Sequence, residues 1–264
     1  MEVLPLTLVK IGGNIVDHPA ALQQFLADFH AIEGAKVLVH GGGKVATELS
    51  RSMGITPVMI DGRRVTDAET LKIVTMVYGG LINKQIVAQL QALGTNAIGL
   101  TGADGNIIRA HQRRHPSIDY GFVGDIDQVN GDRLRKIIDA GFTPVIAPLT
   151  HDLRGHMLNT NADTVAAELA IALSGFFKVN FLYCFEKKGL LLDINDETSA
   201  VPHILVEDIQ QLKEDGTIVA GMIPKVDNIA DAIRRGVSQV RLCHAADIPL
   251  IFLEKQSAGT LFTA

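Results

Sequence analysis

The chain has 264 residues, 47% of them hydrophobic but only 5% aromatic, with no tryptophan. This suits one large domain or two small ones with an aliphatic core, as in a sheet sandwiched between helices. Lys plus Arg number 24 against 29 Asp plus Glu, for a formal charge of −5. With no long basic run, this balance argues against a nucleic-acid partner, whose phosphates would dominate binding. Membrane partners are not expected either, since apolar runs are broken short of spanning length, as Glu168 breaks the run from Val165 to Leu173. The opening Met1-Glu2 lacks the basic lead of a signal peptide. Cys184 and Cys243 lie in apolar runs and read as small buried hydrophobes of a reduced, cytoplasmic protein.

Short β-branched runs alternate with stretches of helical period, which predicts a mainly parallel sheet with helices on both faces. Strands are expected near Leu6–Ile11, Lys36–His40, Ala97–Thr101, Thr143–Ala147, Val179–Cys184 and Gln239–Cys243, with a last one near Leu250–Leu253. The first helix is expected from His18 to Ile32, with Asp17 as cap and Pro19 in its first turn; the next runs from about Gly43 to Met53. Thr66-Asp67-Ala68-Glu69 fits a capping box and starts another. Further helices are expected near Gly131–Asp139, Ala162–Leu173, Val206–Glu214 and Ile223–Arg235. Pro57–Val65 and Asn106–Gln128 break the alternation and read as surface hairpins. Ser174-Gly175 is the best candidate for a boundary between two lobes.

The first strand ends Lys10-Ile11-Gly12-Gly13. A strand buried on both faces should be nearly all apolar, so Lys10 needs a reason. It can be read as snorkelling from the strand end. It also sits at the carboxyl edge of the sheet, where open α/β sheets bind ligands, beside glycines that let backbone amides approach an anion. The second strand ends His40-Gly41-Gly42-Gly43-Lys44 and enters a helix, which again places free amides at that edge. Gly41-x-Gly43-x-x-Ala46 with Asp61 further on also satisfies a loose dinucleotide fingerprint, but that reading leaves Lys10-x-Gly12-Gly13 unexplained. No Walker A loop occurs. Arg64 precedes a capped helix and is placed to grip a carboxylate bidentately, though a surface charge on a hairpin reads equally well. Asp163 opens an apolar helix, where an acid also suits the helix dipole. Lys225 opens another, where a cation opposes the dipole unless an anion shares the site.

Together, Lys10-x-Gly12-Gly13, His40-Gly41-Gly42-Gly43, Arg64-Val65-Thr66, Asn159-x-Asn161-Ala162-Asp163 and Gly221-Met222-x-x-Lys225 resemble the N-acetylglutamate kinases of the amino acid kinase family. The likeness is ordered and spans essentially the whole chain. It implies an α/β fold, an open αβα sandwich, with residues 1–175 binding the N-acyl amino acid and dimerising, and residues 176–264 binding ATP. By that resemblance Lys10 and Lys225 stabilise the transferring phosphoryl group and Asp163 orients them. Gly12, Gly13 and Gly42 offer amides to phosphate oxygens, while Gly42, Gly43, Arg64 and Asn159 hold the substrate. Glu186 and Gly189 fall on the ATP side, in a loop where Phe185-Glu186-Lys187-Lys188 departs from the family's usual turn. The implied reaction transfers phosphate from ATP, with Mg²⁺ carried by the nucleotide, to the γ-carboxylate of N-acetyl-L-glutamate in arginine biosynthesis. No protein-bound metal is implied.

Three alternatives remain open from sequence. They are an N-succinylglutamate kinase, another kinase of the same fold, and a non-catalytic amino-acid-binding regulator. Relatives inhibited by arginine are longer at the N-terminus, with a helix that joins dimers into a ring. Only Met1 to Pro5 precede the first strand here, too few for a stable helix. The expectation is therefore a homodimer insensitive to arginine.

Overall fold

A computed structural model describes residues 3–60, 62–193, 195–218, 222–254 and 256–264. Gly221 and Asp61, both singled out above, lie outside the described residues. The strands are β1 (Pro5–Ile11), β2 (Ala35–His40), β3 (Met59–Ile60), β4 (Arg63–Arg64), β5 (Ala97–Leu100), β6 (Ile108–Gln112) and β7 (Gly124–Val129). They continue as β8 (Thr143–Ile146), β9 (Leu149–His151), β10 (Met157–Asn159), β11 (Lys178–Phe185), β12 (His203–Leu205), β13 (Gln239–His244) and β14 (Thr260–Thr263). Among the described residues the main sheet has the order β12-β14-β13-β11-β1-β2-β8-β5. All its pairings are parallel except β13 with β14, so the expected mainly parallel architecture is present.

Strand alternation sorts the side chains into two cores, one on each face of the sheet. Leu6 and Leu8 of β1, Val37 and Val39 of β2, and Phe181 and Tyr183 of β11 belong to one core. Val9, Ile11, Leu38, Leu182 and Cys184 belong to the other. The first core is closed by α7 (Ala162–Ser174) and α9 (Ile223–Arg234), through Val165, Leu169, Val226 and Ile229. The second is closed by α2 (Pro19–Ala31) and by a long helix that begins at Ala68. That helix runs as α4 (Ala68–Val74), a π-helical segment Thr75–Ile82, and α5 (Asn83–Ala92). Each fully buried aliphatic side chain contributes about 1.5–3 kcal/mol. No helix among the described residues is long and apolar enough to cross a membrane.

Both expected hairpins form. β3–β4 is one, and β6–β7 joins β9 and β10 in a second sheet. Three local expectations fail. Leu250–Leu253 is not a strand: it falls mostly in α10 (Ile248–Phe252), with Pro249 in the first turn, and the last strand is β14. Asp17 does not cap α2, because it terminates a four-residue helix, α1 (Gly13–Val16), and donates its own amide to Gly13 O at 2.7 Å. Thr66 is not part of a capping box. Asp67 is the N-cap, accepting from Thr70 N at 2.7 Å, while Glu69 pairs with Lys72. Thr66 instead donates to Arg64 O at 2.8 Å.

Candidate active site

Lys10 has the same strand parity as Leu6 and Leu8, so its side chain leaves the sheet on the side of α7 and α9. It is buried, yet it has a partner: Nζ lies 2.5 Å from Asp163 Oδ1. Asp163 stands in the first turn of α7, where Asn161 as N-cap accepts from the amides of Asp163 and Thr164. Its other oxygen, Oδ2, accepts from Lys225 Nζ at 3.1 Å. Lys225 comes from the first turn of α9. One carboxylate thus holds two ammonium groups, the three charges being delivered by three separate elements. Burial would push the Asp163 carboxyl up, but the charges of Lys10 and then Lys225, with hydrogen bonds from Lys10 and Tyr183, hold it well below the usual carboxylate range.

Tyr183 is the residue that sequence reasoning missed. It pairs in register with Lys10 across the β1–β11 ladder. Its ring centroid is 5.1 Å from Lys10 Nζ and 4.9 Å from Lys225 Nζ, both within cation–π range. Lys225 Nζ also donates to its hydroxyl at 3.4 Å. Burial first, and then the negative charge of Asp163, raise the phenol well above its ordinary value, so the ring stays neutral. Its place in an otherwise apolar strand carried a signal, but its meaning depends on a pairing with β1 that no local pattern reveals.

The same cluster opens into a cavity of about 230 Å³ that collects most of the sequence candidates: Lys10, Gly12, Gly13, Gly42, Gly43, Arg64, Asn159 and Asp163. The glycines serve different ends. Gly12 has an ordinary φ of −86°, so conformational freedom is not its purpose; a Cβ there would stand 3.9 Å from Lys10 Nζ and occupy the space in front of it. Gly42 has φ +150°, and a Cβ would collide with Ile82 Cδ1 and press on Tyr78, both in the π-helical segment. Beneath this loop His40 is fully buried, with Nδ1 2.8 Å from Gly41 O and Nε2 3.1 Å from Asn83 Nδ2. Burial pushes its pKa down to about 4. The neutral ring then donates from Nδ1 and accepts at Nε2.

Arg64 is buried in β4, and its Nη2 donates to Gly43 O at 2.8 Å and to Thr47 Oγ1 at 2.7 Å. Its Nη1 is buried with no acceptor in hydrogen-bond geometry among the described residues, although the Tyr78 hydroxyl lies beside the guanidinium. A buried cationic donor without an acceptor is costly unless a ligand supplies one. Asn159, at the end of β10, donates from Nδ2 to Thr66 Oγ1 at 3.0 Å.

The nucleotide-side candidates lie apart from this cavity. Gly189 lines a second, mainly apolar cavity of about 640 Å³ with Phe185, Leu190 and Met222. With φ +153°, a Cβ on Gly189 would meet Thr260 Oγ1 at 2.6 Å. Glu186 is exposed and lines neither cavity; it accepts from Asn14 Nδ2, tying the loop after β11 to the first glycine turn.

Two lysines held by one carboxylate, beside a cavity lined by glycine turns and a buried arginine, offer the positive charge and backbone donors that phosphoryl transfer needs. The chain belongs to the amino acid kinase family, whose model matches residues 5–244. It is 55% identical over 260 residues to the acetylglutamate kinase of Cytophaga hutchinsonii, covering 98% of each chain. It is 57% identical over 243 residues to that of Parabacteroides distasonis, covering 92% of this chain and 95% of the relative. Among solved structures it is similar to the N-acetylglutamate synthase of Neisseria gonorrhoeae complexed with coenzyme A and N-acetyl-glutamate. There the TM-score is 0.83 at 20% identity, over 99% of this chain and 59% of that one. It also matches the carbamate kinase of Giardia lamblia bound to AMP-PNP, with a TM-score of 0.69 at 12% identity over 99% and 98%.

Proposed function

We propose that the chain is an ATP-dependent kinase that phosphorylates the γ-carboxylate of N-acetyl-L-glutamate to N-acetyl-L-glutamyl 5-phosphate, in arginine biosynthesis. The observation that carries this reading is Asp163 holding Lys10 and Lys225 together, at the wall of the cavity that Arg64 and the glycine turns line. Identities of 55% and 57% with acetylglutamate kinases over nearly the whole chain support the choice of substrate.

The γ-carboxylate is already ionised at neutral pH, so its oxygen attacks the terminal phosphorus of ATP without a general base. The new O–P bond forms as the bond to the bridging oxygen breaks, and ADP leaves with that electron pair. Catalysis then needs positive charge and fixed donors around a spread-out anionic transition state. Lys10 and Lys225 supply the charge, and Asp163 keeps both aimed. The amides of Gly12, Gly13 and Gly42 hold phosphoryl oxygens. Arg64 takes the substrate's α-carboxylate through its free Nη1, with Gly43 and Asn159 holding the remainder. The adenine base occupies the apolar cavity walled by Gly189, and Glu186 sits on that nucleotide side. Both oxygens of Asp163 are engaged by lysines, which favours Mg²⁺ riding on the nucleotide; when bound it lowers the charge on the phosphates.

In this reading residues 1–175 form the amino-acid lobe and residues 176–264 the ATP lobe. The free thiols of Cys184 and Cys243 suit a reducing cytoplasm. Met76 and Leu81 stand exposed on the long helix of the first lobe and suit a homodimer built there.

One panel tests the function: ADP release with N-acetyl-, N-succinyl- and free glutamate. Turnover is expected to be highest with N-acetylglutamate. Preference for the succinyl compound would move the assignment to an N-succinylglutamate kinase, and no turnover with any of the three would remove the kinase reading.

A further inference from the structure

Tyr183 is fully buried beneath the Lys10–Asp163–Lys225 cluster, and the phosphoryl transfer just described assigns it no part. We propose that Tyr183 is a positioning residue whose ring holds both lysine ammonium groups at a fixed spacing, so that each stays aimed at the transferring phosphoryl group. This rests on the kinase reading of the site.

Asp163 alone is a poor clamp for that purpose. It offers one oxygen to each lysine, and each lysine swings on a flexible four-carbon stem. Incoming phosphates compete with the carboxylate for the same ammonium groups. A second carboxylate would steady them, but two lysines and two aspartates sum to zero, leaving little net charge for the transition state. An aromatic ring resolves the conflict. Its quadrupole attracts cations without carrying a formal charge, so the ammonium groups are held while their charge remains available. Both Nζ atoms lie at nearly equal range from the ring, 5.1 and 4.9 Å from the centroid.

The ring itself is well anchored. It rises from β11, which lies between β1 and β13 inside the sheet, and Phe181 packs against it at 5.6 Å between centroids. The ring faces both ammonium groups from one rigid strand, so the two lysines share a single fixed support. In-register pairing with Lys10 sets the first distance through the sheet itself.

The test uses the intact enzyme with Tyr183→Phe, Tyr183→Leu, and phenylalanines carrying one to three ring fluorines at position 183. Fluorination keeps the ring's size and strips negative potential from its face. The Phe variant is expected to keep kcat within about threefold of wild type, and the Leu variant to lose roughly tenfold or more. Across the fluorinated series kcat is expected to fall stepwise, with the KM for N-acetylglutamate and the thermal midpoint unchanged. A flat series in an active enzyme overturns the role of Tyr183, as does an equal loss in Phe and Leu or a change confined to KM. Absent ATP turnover by the wild type overturns the kinase reading as well. Should the Leu variant fail to fold, the fluorinated series decides alone.

Discussion

Asp163 holds Lys10 and Lys225 on one carboxylate, so in the proposed mechanism deleting either ammonium removes charge from the point where transition-state charge develops. Lys10→Ala and Lys225→Ala are each expected to lower kcat by about 10²–10³-fold with little change in the KM for N-acetylglutamate. Steady-state kinetics check this, and near-normal kcat in both variants would falsify the mechanism. Arg64 makes a different case, because two bonds already fix Nη2 while the proposal leaves Nη1 for the substrate carboxylate. Arg64→Lys keeps the charge but loses the planar fork. The KM for the acylated amino acid should rise while that for ATP holds; the reverse pattern would assign Arg64 to the nucleotide. His40 links the site to pH. Its folded pKa of about 4 lies below the ordinary 6.5, so between those values the unfolded chain binds the extra proton. The stabilisation is complete above pH 6.5 and is lost as pH falls toward 4, by roughly 3 kcal/mol in all. Urea midpoints at pH 7 and pH 5 should differ more in wild type than in His40→Asn, and equal differences would clear His40 of that role.

Among the elements, the long helix and the second glycine turn depend on each other. Gly42 adopts φ +150° directly against Tyr78 and Ile82 of the π-helical segment. Gly42→Ala combines an unfavourable dihedral with an overpacked contact and should cost about 1–3 kcal/mol of stability. A denaturation midpoint equal to wild type would mean that the π-helical segment yields freely. Strands such as β1, β2 and β8 were legible because their short, β-branched apolar runs agree with burial on both faces. Leu250–Leu253 was not, since a short apolar run cannot be told from a buried helix by periodicity alone; Pro249 at the start of α10 was the discriminating sign. At the site, Lys10, Arg64 and Asp163 could be picked out because each is a charge at a sheet edge or helix start. Tyr183 could not, because its neighbours are set by strand pairing. The capping reading of Thr66 failed for a related reason: its hydroxyl is taken by the neighbouring Arg64 O and by Asn159, a partner from a distant part of the chain.

Taken whole, the two proposed lobes are halves of one sheet rather than separate bodies, meeting where β1 pairs with β11. The amino-acid lobe brings β1 and β2 and the long helix; the ATP lobe brings β11, β13 and α9. Association is expected on the outer side of the long helix, through Met76 and Leu81. Light scattering should give the mass of two chains, and Leu81→Asp should shift it toward one. A wild-type mass of one chain, or a dimer indifferent to that change, would place the interface elsewhere or remove it.

The pairing of Lys10 with Tyr183 joins residues far apart along the chain. Synthesis delivers Lys10 long before Lys225, so under the proposed mechanism a nascent polypeptide stays inert until Lys225 has emerged. Long-range parallel pairing is also slow to form, because loop closure must precede any reward from contacts. During refolding, helices can be regained while the sheet's halves are still apart, and turnover returns only when they zip together. On the proposed mechanism, catalysis is therefore a reporter of completed assembly, silent in any half-folded species.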